Sequence, residues 1–241
     1  MNDDGMVDMS FNTSFDEAQL HHVQYFHYEG KQKEHIHLFY IINEIFNVEF
    51  YIFMINTLRM MDPDDKAFMY FNSSGGDVDI GMQIINAMNE SAGEITTVLD
   101  SKAHSIAAVM FLSGHTRIVQ PNSVMMLHNY SATLRGKGHE LVQSINGFNA
   151  SITQLMFDVI GNFLTSEERE KLIDGKDFWF TSKEVSERLV QCEENKQFDE
   201  LQEEKALLLE SIEEIQNRLK EIDSVVLKDE SEANENDTGA N

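Results

Sequence analysis

The sequence predicts an α/β fold, and three observations carry the prediction. Short runs rich in β-branched and aromatic residues alternate with stretches whose apolar groups recur at helical spacing. The connections between successive strands are long enough for parallel pairing. Polar and glycine-rich turns fall just past several strands, at the edge where α/β sheets gather their sites.

Taken in order, residues 1 to about 34 are polar and mixed, with His21, His22 and His27 among several aromatics, and read as a separate N-terminal segment without assigned structure. Residues 36–42 (IHLFYII) read as a strand. His35 and His37 alternate as metal ligands on a strand can, but no third ligand stands at a telling spacing, so an exposed strand face is expected. Phe46, Phe50, Phe53, Met54, Leu58 and Met61 mark an amphipathic helix over 44–61, ended by Pro63. Lys66–Phe71 is the second strand; Asn72-Ser-Ser-Gly-Gly-Asp77 is a turn, and a helix follows to about Asn89. Ile95–Leu99 is the third strand, stopped at Asp100. A polar turn leads to Ser105, which opens an apolar helix ending at Gly114. Arg117–Val119 and Ser123–Leu127 read as short strands around Pro121-Asn122, with His128 at the end of the second. A loop over 131–138 precedes a long helix from His139 to about Leu164. Capping boxes at Thr165-x-x-Glu168 and Thr181-x-x-Glu184 open two further helices, to Leu172 and to about Leu189, with Asp177-Phe-Trp-Phe180 between them.

Composition bounds the function. The chain has 241 residues, enough for one domain with an appendage, and 16 Phe and 13 Met to fill a core. A formal charge of −24 argues against nucleic acid and against an anionic membrane surface as partners. One cysteine, Cys192, leaves no intramolecular disulfide and suits a reducing compartment. The acidic start MNDDGMVDMS has no secretory apolar region, and no apolar run reaches the length of a membrane span. A cytoplasmic protein is expected.

Three features lie at the predicted sheet edge. Ser105 stands where a strand gives way to a helix, at the positive end of the helix dipole; this suits a nucleophile and equally an ordinary N-cap. Gly75-Gly76 can take positive φ and turn backbone N–H groups toward a phosphate or an oxyanion, or can be a tight connection and nothing more. His128, with an ordinary pKa near ~6.5, suits a general base. With Asp177 these supply the hydroxyl, imidazole and carboxylate of acyl-transfer chemistry. Their order Ser…His…Asp is not that of the familiar hydrolase classes, and no G-x-S-x-G elbow surrounds Ser105.

Several motifs then fall in order. Asn72-Ser-Ser-Gly-Gly76, Ser101-Lys-Ala-His-Ser-Ile-Ala107, Pro121-Asn-Ser-Val-Met-Met-Leu-His128 and Asp177-Phe-Trp-Phe-Thr-Ser-Lys-Glu-Val185 resemble the signature stretches of the Clp protease proteolytic subunit. The Gly-Gly-to-serine and histidine-to-aspartate intervals match without a gap. The resemblance implies repeated β-β-α units of the kind shared with crotonases, over about 35–192, with a protruding handle at about 131–164. It implies Ser105 as nucleophile, His128 as general base, Asp177 as orienting acid, and the backbone N–H groups of Gly76 and Ile106 as oxyanion hole. It further implies heptameric rings that pair into a double ring, a hexameric ATP-driven Clp unfoldase as partner, unfolded polypeptides as substrates, and no metal or nucleotide cofactor in the subunit. The N-terminal segment 1–34 would then be axial or flexible. The chain departs from the family pattern at Asn43 and Ser101 (glycines there), Ser74 (proline), His104 (a small residue), Asn129-Tyr130 (Gln-Pro) and Gly175-Lys176 (an acidic-arginine pair). These departures bear on ring pairing and substrate preference, and they motivate a second reading, a catalytically weak subunit of a mixed ring.

The tail lies outside that resemblance. From Glu193 onward 16 acidic and 5 basic residues carry −11 of the −24. Leu201, Leu208, Ile215 and Ile222 repeat every seven residues, as do Ile212, Leu219 and Val226, with Lys205 at one polar position. A helix over 193–228 is expected, either lying on its own domain or forming a coiled coil. Residues 229–241 (DESEANENDTGAN) read as a disordered acidic tail.

Overall fold

The computed structural model describes residues 23–29 and 35–237. The chain divides into two units, Met1–Val190 and Gln191–Asn241. Of the N-terminal segment 1–34, only 23–29 fall among the described residues, and they form a strand rather than unassigned chain.

The first unit is organised on one sheet. Its strands are β1 (Val23–Glu29), β2 (His35–Ile45), β3 (Lys66–Gly76), β4 (Glu94–His104), β5 (Thr116–Val119), β6 (Val124–Leu127) and β7 (Phe178–Thr181). The sheet order is β1-β2-β3-β4-β6-β7, with β5 also on β4. Pairing is parallel from β2 to β6 and antiparallel at both margins, β1 on β2 and β7 on β6. The helices are α1 (Ile52–Arg59), α2 (Val78–Glu90), α3 (Ile106–Leu112), α4 (Gly138–Ile160), α5 (Ser166–Ile173) and α6 (Ser182–Asp237). The expected α/β class is therefore observed.

Burial follows the sequence pattern. Along β2, His37, Phe39 and Ile41 alternate inward, whereas Ile95–Leu99 of β4 are buried without a break, as a central parallel strand covered on both faces must be. All seven residues of α3 are buried, and α3 packs on β3, β4 and β6. Both capping boxes form. Thr165 and Glu168 exchange side-chain-to-backbone bonds, as do Thr181 and Glu184. Glu168 also grips Arg188 of α6 through both carboxylate oxygens, and the guanidinium lies 4.8 Å over the Phe180 ring of β7. Paired first of all with Arg188, the Glu168 carboxyl is held down to about 2.

Strand ends are where most expectations need correction, and for β2, β3 and β4 the cause is the same. Neighbouring strands keep offering backbone partners past the polar residues that read as stops. β3 continues through Asn72–Gly76 instead of turning at Asn72. β4 does not stop at Asp100: it bulges at Asp100-Ser101, where it leaves β5, and re-enters the sheet at Lys102 beside β6. β2 runs to Ile45, so the helix expected over 44–61 shrinks to α1, preceded by a single 3-10 turn (Val48–Phe50) capped by Asn47. β5 and β6 do not pair with each other; they lie end to end along the same side of β4. The helix expected to end near Leu189 continues as α6, whose backbone reaches Asp237, into the stretch whose composition suggests disorder. Glu, Lys and Ala there are good helix formers, and an existing helix propagates at low cost. Residues 238–241 lie outside the described residues.

The His35–His37 face also differs from expectation. His37 is only 8 % exposed. β1 places His27 directly opposite it, and the rings of His27, His35 and His37 gather, His27 Nε2 lying 2.9 Å from His35 Nδ1. Among the described residues no group of histidines, cysteines and carboxylates is arranged to hold a metal ion. Tyr25 bonds His37 Nδ1 at 2.9 Å. Burial, reinforced by His27 and His35 and opposed by Asp65, pushes His37 down to about 4. The folded state thus holds His37 neutral at a pH where the unfolded chain protonates it. Its favourable contribution is complete above the ordinary value of ~6.5 and is lost as pH falls from there toward 4. Denaturant titrations at pH 7 and pH 5 should show a smaller stability loss for His37→Phe than for the wild type.

Candidate active site

Ser105 sits between β4 and α3 in a backbone conformation that serine seldom adopts, φ 56 and ψ −129. An ordinary N-cap has extended backbone and a side chain that accepts from the first helical turn; Ser105 has neither. The bland reading of this serine therefore fails, and what stands in its place is a strained strand-to-helix turn of the kind that presents a nucleophile. Two contacts hold it. The Ser105 N–H donates to the Met126 carbonyl of β6 at 2.8 Å, and the wholly buried α3 anchors the far side.

The Gly75-Gly76 turn lies against that serine. Both glycines have positive φ, 87 and 148. A methyl group on Gly75 would stand 2.7 Å from Ser105 Cβ and 2.5 Å from the His104 carbonyl oxygen; one on Gly76 would stand 2.0 Å from the Ile45 carbonyl oxygen. Neither position admits a side chain, which raises the pair above a lone tight connection. Ser73 fixes the turn: its hydroxyl donates to the Asn43 carbonyl and accepts from the Gly75 N–H at 3.2 Å. Asn43 itself has φ 65 and sits at the register shift between β2 and β3. That explains the departure from glycine at this position, since asparagine is the side-chain residue that best tolerates such a backbone. Ile106 opens α3, and its N–H is one of the first-turn groups with no acceptor inside the helix.

A cleft of about 300 Å³ brings these parts together, lined by Ser105, His128, Gly75, Gly76, Ser74, Val78, Glu44, Tyr130 and Ser131. Ser105 and His128, separate in sequence, thus face one space. Asp177 does not line the cleft and is exposed. The β6–β7 ladder ends with Leu127 opposite Phe178; His128 follows the first of these in the chain and Asp177 precedes the second. Among the described residues no hydrogen bond joins Ser105 to His128 or His128 to Asp177.

Two of the sequence departures line the cleft. Ser74 replaces an apolar ring, and the Tyr130 hydroxyl donates to Asn149 of α4 at 2.7 Å while Asn129 Nδ2 donates to the Ile173 carbonyl. The His104 ring packs edge-on against Trp179 at 5.0 Å with Nε2 buried and without a partner. Burial first, then the charges of Lys102 and His128, pushes it below the ordinary histidine value. Glu44, Val78 and Ser131 carry no motif, and only the register of β2 on β3 and the course of the loop reveal them as cleft residues.

A family model described as Clp protease matches residues 32–188, well over half of the chain. The chain belongs to that family. A similar protein is the ATP-dependent Clp protease proteolytic subunit 2 of Tropheryma whipplei (strain Twist), 29% identical over 136 residues that cover 54% of this chain and 73% of the relative. The match spans every strand of the sheet from β2 to β7 and stops within the start of α6. Clp proteases are serine-type peptidases that assemble as rings with a Clp ATPase, and no helix among the described residues is long and apolar enough to cross a membrane.

Gly75→Ala should cost about 2 kcal/mol or more in denaturant unfolding, because a turn that admits no Cβ must move. Asn43→Val should lose about 1–2 kcal/mol from its positive φ, whereas Asn43→Gly should stay near neutral in the same measurement.

Proposed function

We propose that this chain is the peptidase subunit of an ATP-dependent Clp-type protease, an endopeptidase that hydrolyses peptide bonds of unfolded proteins inside an oligomeric chamber. The observation that carries the reading is the strained Ser105, facing His128 across a cleft floored by two glycines that tolerate no side chain. In this reading the Ser105 hydroxyl bonds to the carbonyl carbon of the scissile peptide and passes its proton to His128. The Gly76 and Ile106 N–H groups receive the oxyanion. His128 returns the proton to the leaving amine as the C–N bond breaks, and water then repeats the sequence to release the acyl group. Asp177 holds the His128 tautomer. The subunit uses no metal or nucleotide; the energy of ATP enters through a hexameric unfoldase seated on heptameric rings, and the site of action is the cytoplasm.

A second reading rests on a specific observation. Serine, histidine and aspartate stand in order but are not joined by hydrogen bonds, and Asp177 is open to solvent. A subunit in this state is catalytically weak alone and gains its alignment on assembly, in a ring of its own kind or a mixed one.

A fluorophosphonate probe should label the wild type and leave Ser105→Ala unlabelled; equal labelling overturns the peptidase reading. Asp177→Asn should lower turnover of a fluorogenic peptide by roughly three to four orders of magnitude, the loss seen when a comparable histidine is left in the wrong tautomer. Isolated wild type without activity that appears on adding a partner subunit, and is absent when Ser105→Ala is added instead, selects the second reading.

A further inference from the structure

In the second unit, α6 presents a row of large apolar side chains that no other part of that unit covers. Phe198, Leu201, Leu208, Ile212, Ile215 and Leu219 are each between 50 % and 63 % exposed. They alternate by three and four residues, with Lys205 completing the row, so Phe198, Lys205, Ile212 and Leu219 take heptad position a and Leu201, Leu208 and Ile215 take d. By sequence the row continues through Ile222 and Val226, about four heptads in all, the length at which such a seam holds two helices together.

The distribution of charge says what covers it. Most acidic residues of this stretch stand at the outward positions: Asp199 and Glu213 at b, Glu200, Glu214 and Glu221 at c, Glu203 and Glu210 at f. Five of the eight flanking e and g positions are uncharged: Gln202, Leu209 and Gln216 at e are followed by Asp223, and at g stand Glu204, Ser211, Arg218 and Val225. A basic partner would find its complement on the outer face and not at the seam. A second copy of this chain meets flanks that carry only Glu204, Arg218 and Asp223, and keeps most of its acidic residues turned away. The one polar core position points the same way. In a parallel, in-register pair an a-position side chain packs beside the g residue that precedes its counterpart, so Lys205 of each copy meets Glu204 of the other, twice by symmetry. In an antiparallel pair a residues face d residues, and this reciprocal Lys205–Glu204 pairing is not made.

We propose that residues 198–226 pair with the same residues of a second copy as a parallel, in-register, two-stranded coiled coil. The pairing rests on this helix alone and not on the peptidase reading. It gives the family's peptidase domain a second means of bringing copies together, separate from any contact made by residues 32–188.

The test uses the full chain with Cys192→Ser, carrying one new cysteine. Under mild oxidation Leu208→Cys should form a disulfide dimer at least ten times faster than Glu213→Cys, which lies on the outer face of the same helix. Equal rates for the two overturn the pairing. So does a mixture of Leu201→Cys with Ile222→Cys chains that links unlike positions in preference to like ones, since that is the antiparallel arrangement. In the Leu208→Cys background, Lys205→Glu should slow dimer formation several-fold, and adding Glu204→Lys should restore it. Retained helix content by circular dichroism in the variants guards against loss of the helix itself. No effect of the charge reversal in a helix that stays folded would overturn the in-register geometry.

Discussion

One backbone hydrogen bond, from the Ser105 N–H to the Met126 carbonyl, is the contact on which the arrangement of this molecule turns. It requires β4 to stay in the sheet past Asp100, and β4 does so because β6 takes over where β5 ends. Had β4 stopped with β5, Ser105 would open its helix from a free turn and take the extended backbone of an ordinary cap. Held instead between a strand that continues and a helix that is wholly buried, it adopts a positive φ that a free serine avoids. The strain is imposed from both sides by packing. The same β6 that accepts this bond ends one residue before His128, so the strand that bends the serine also delivers the imidazole.

The opposite wall follows from the same logic. Gly75 and Gly76 are the last residues of β3, and they lie so close to His104, Ser105 and Ile45 that any side chain would push β2, β3 and β4 apart. Ser73 and Asn43 stitch β2 to β3 just before this point, one through a hydroxyl used as both donor and acceptor, the other through a backbone that only glycine or asparagine tolerates well. The cleft is thus a defect line across three parallel strands, each ending in an irregularity that its neighbour needs. Family membership accounts for the glycines; the register shift accounts for why Asn43 is tolerated where the family pattern has glycine.

How much of this the sequence disclosed depends on the range of the interaction concerned. Periodicity gave the helix α2 closely, because burial of one face is a local pattern, and a continuous apolar run gave α3. The capping boxes at Thr165 and Thr181 were readable because each closes within one turn. The ends of β2, β3 and β4 were not. Asn72-Ser-Ser and Asp100-Ser101 carry turn chemistry, and only the presence of a neighbouring strand, recruited from far along the chain, overrides it. His37 read as exposed for the same reason. The strand that covers it comes from residues without periodicity, and His27 becomes its neighbour only through the antiparallel register. Ser105 could be singled out by motif order, but its strain could not, since φ is set by what β6 and α3 do together.

The aspartate shows how the second half of the site depends on distant packing. Asp177 directly precedes β7, and His128 directly follows β6, the strand with which β7 pairs antiparallel. That short strand is secured from outside the sheet: Phe180 is buried beneath Arg188, whose guanidinium is pinned by Glu168 and by the Phe163 carbonyl. The carboxylate of a capping box in α5 therefore positions an arginine of α6, which covers the strand that carries the acid. Tyr130, bonded to Asn149, connects the segment following His128 to α4, a helix with only Met156 and Ile160 buried. A helix so exposed has its apolar face free for another surface. Tyr130 lies two residues beyond His128, whereas Ser105 is held by the interior of the sheet. The place of Ser105 is thus set by packing, and those of His128 and Asp177 by the ends of the short strands β6 and β7.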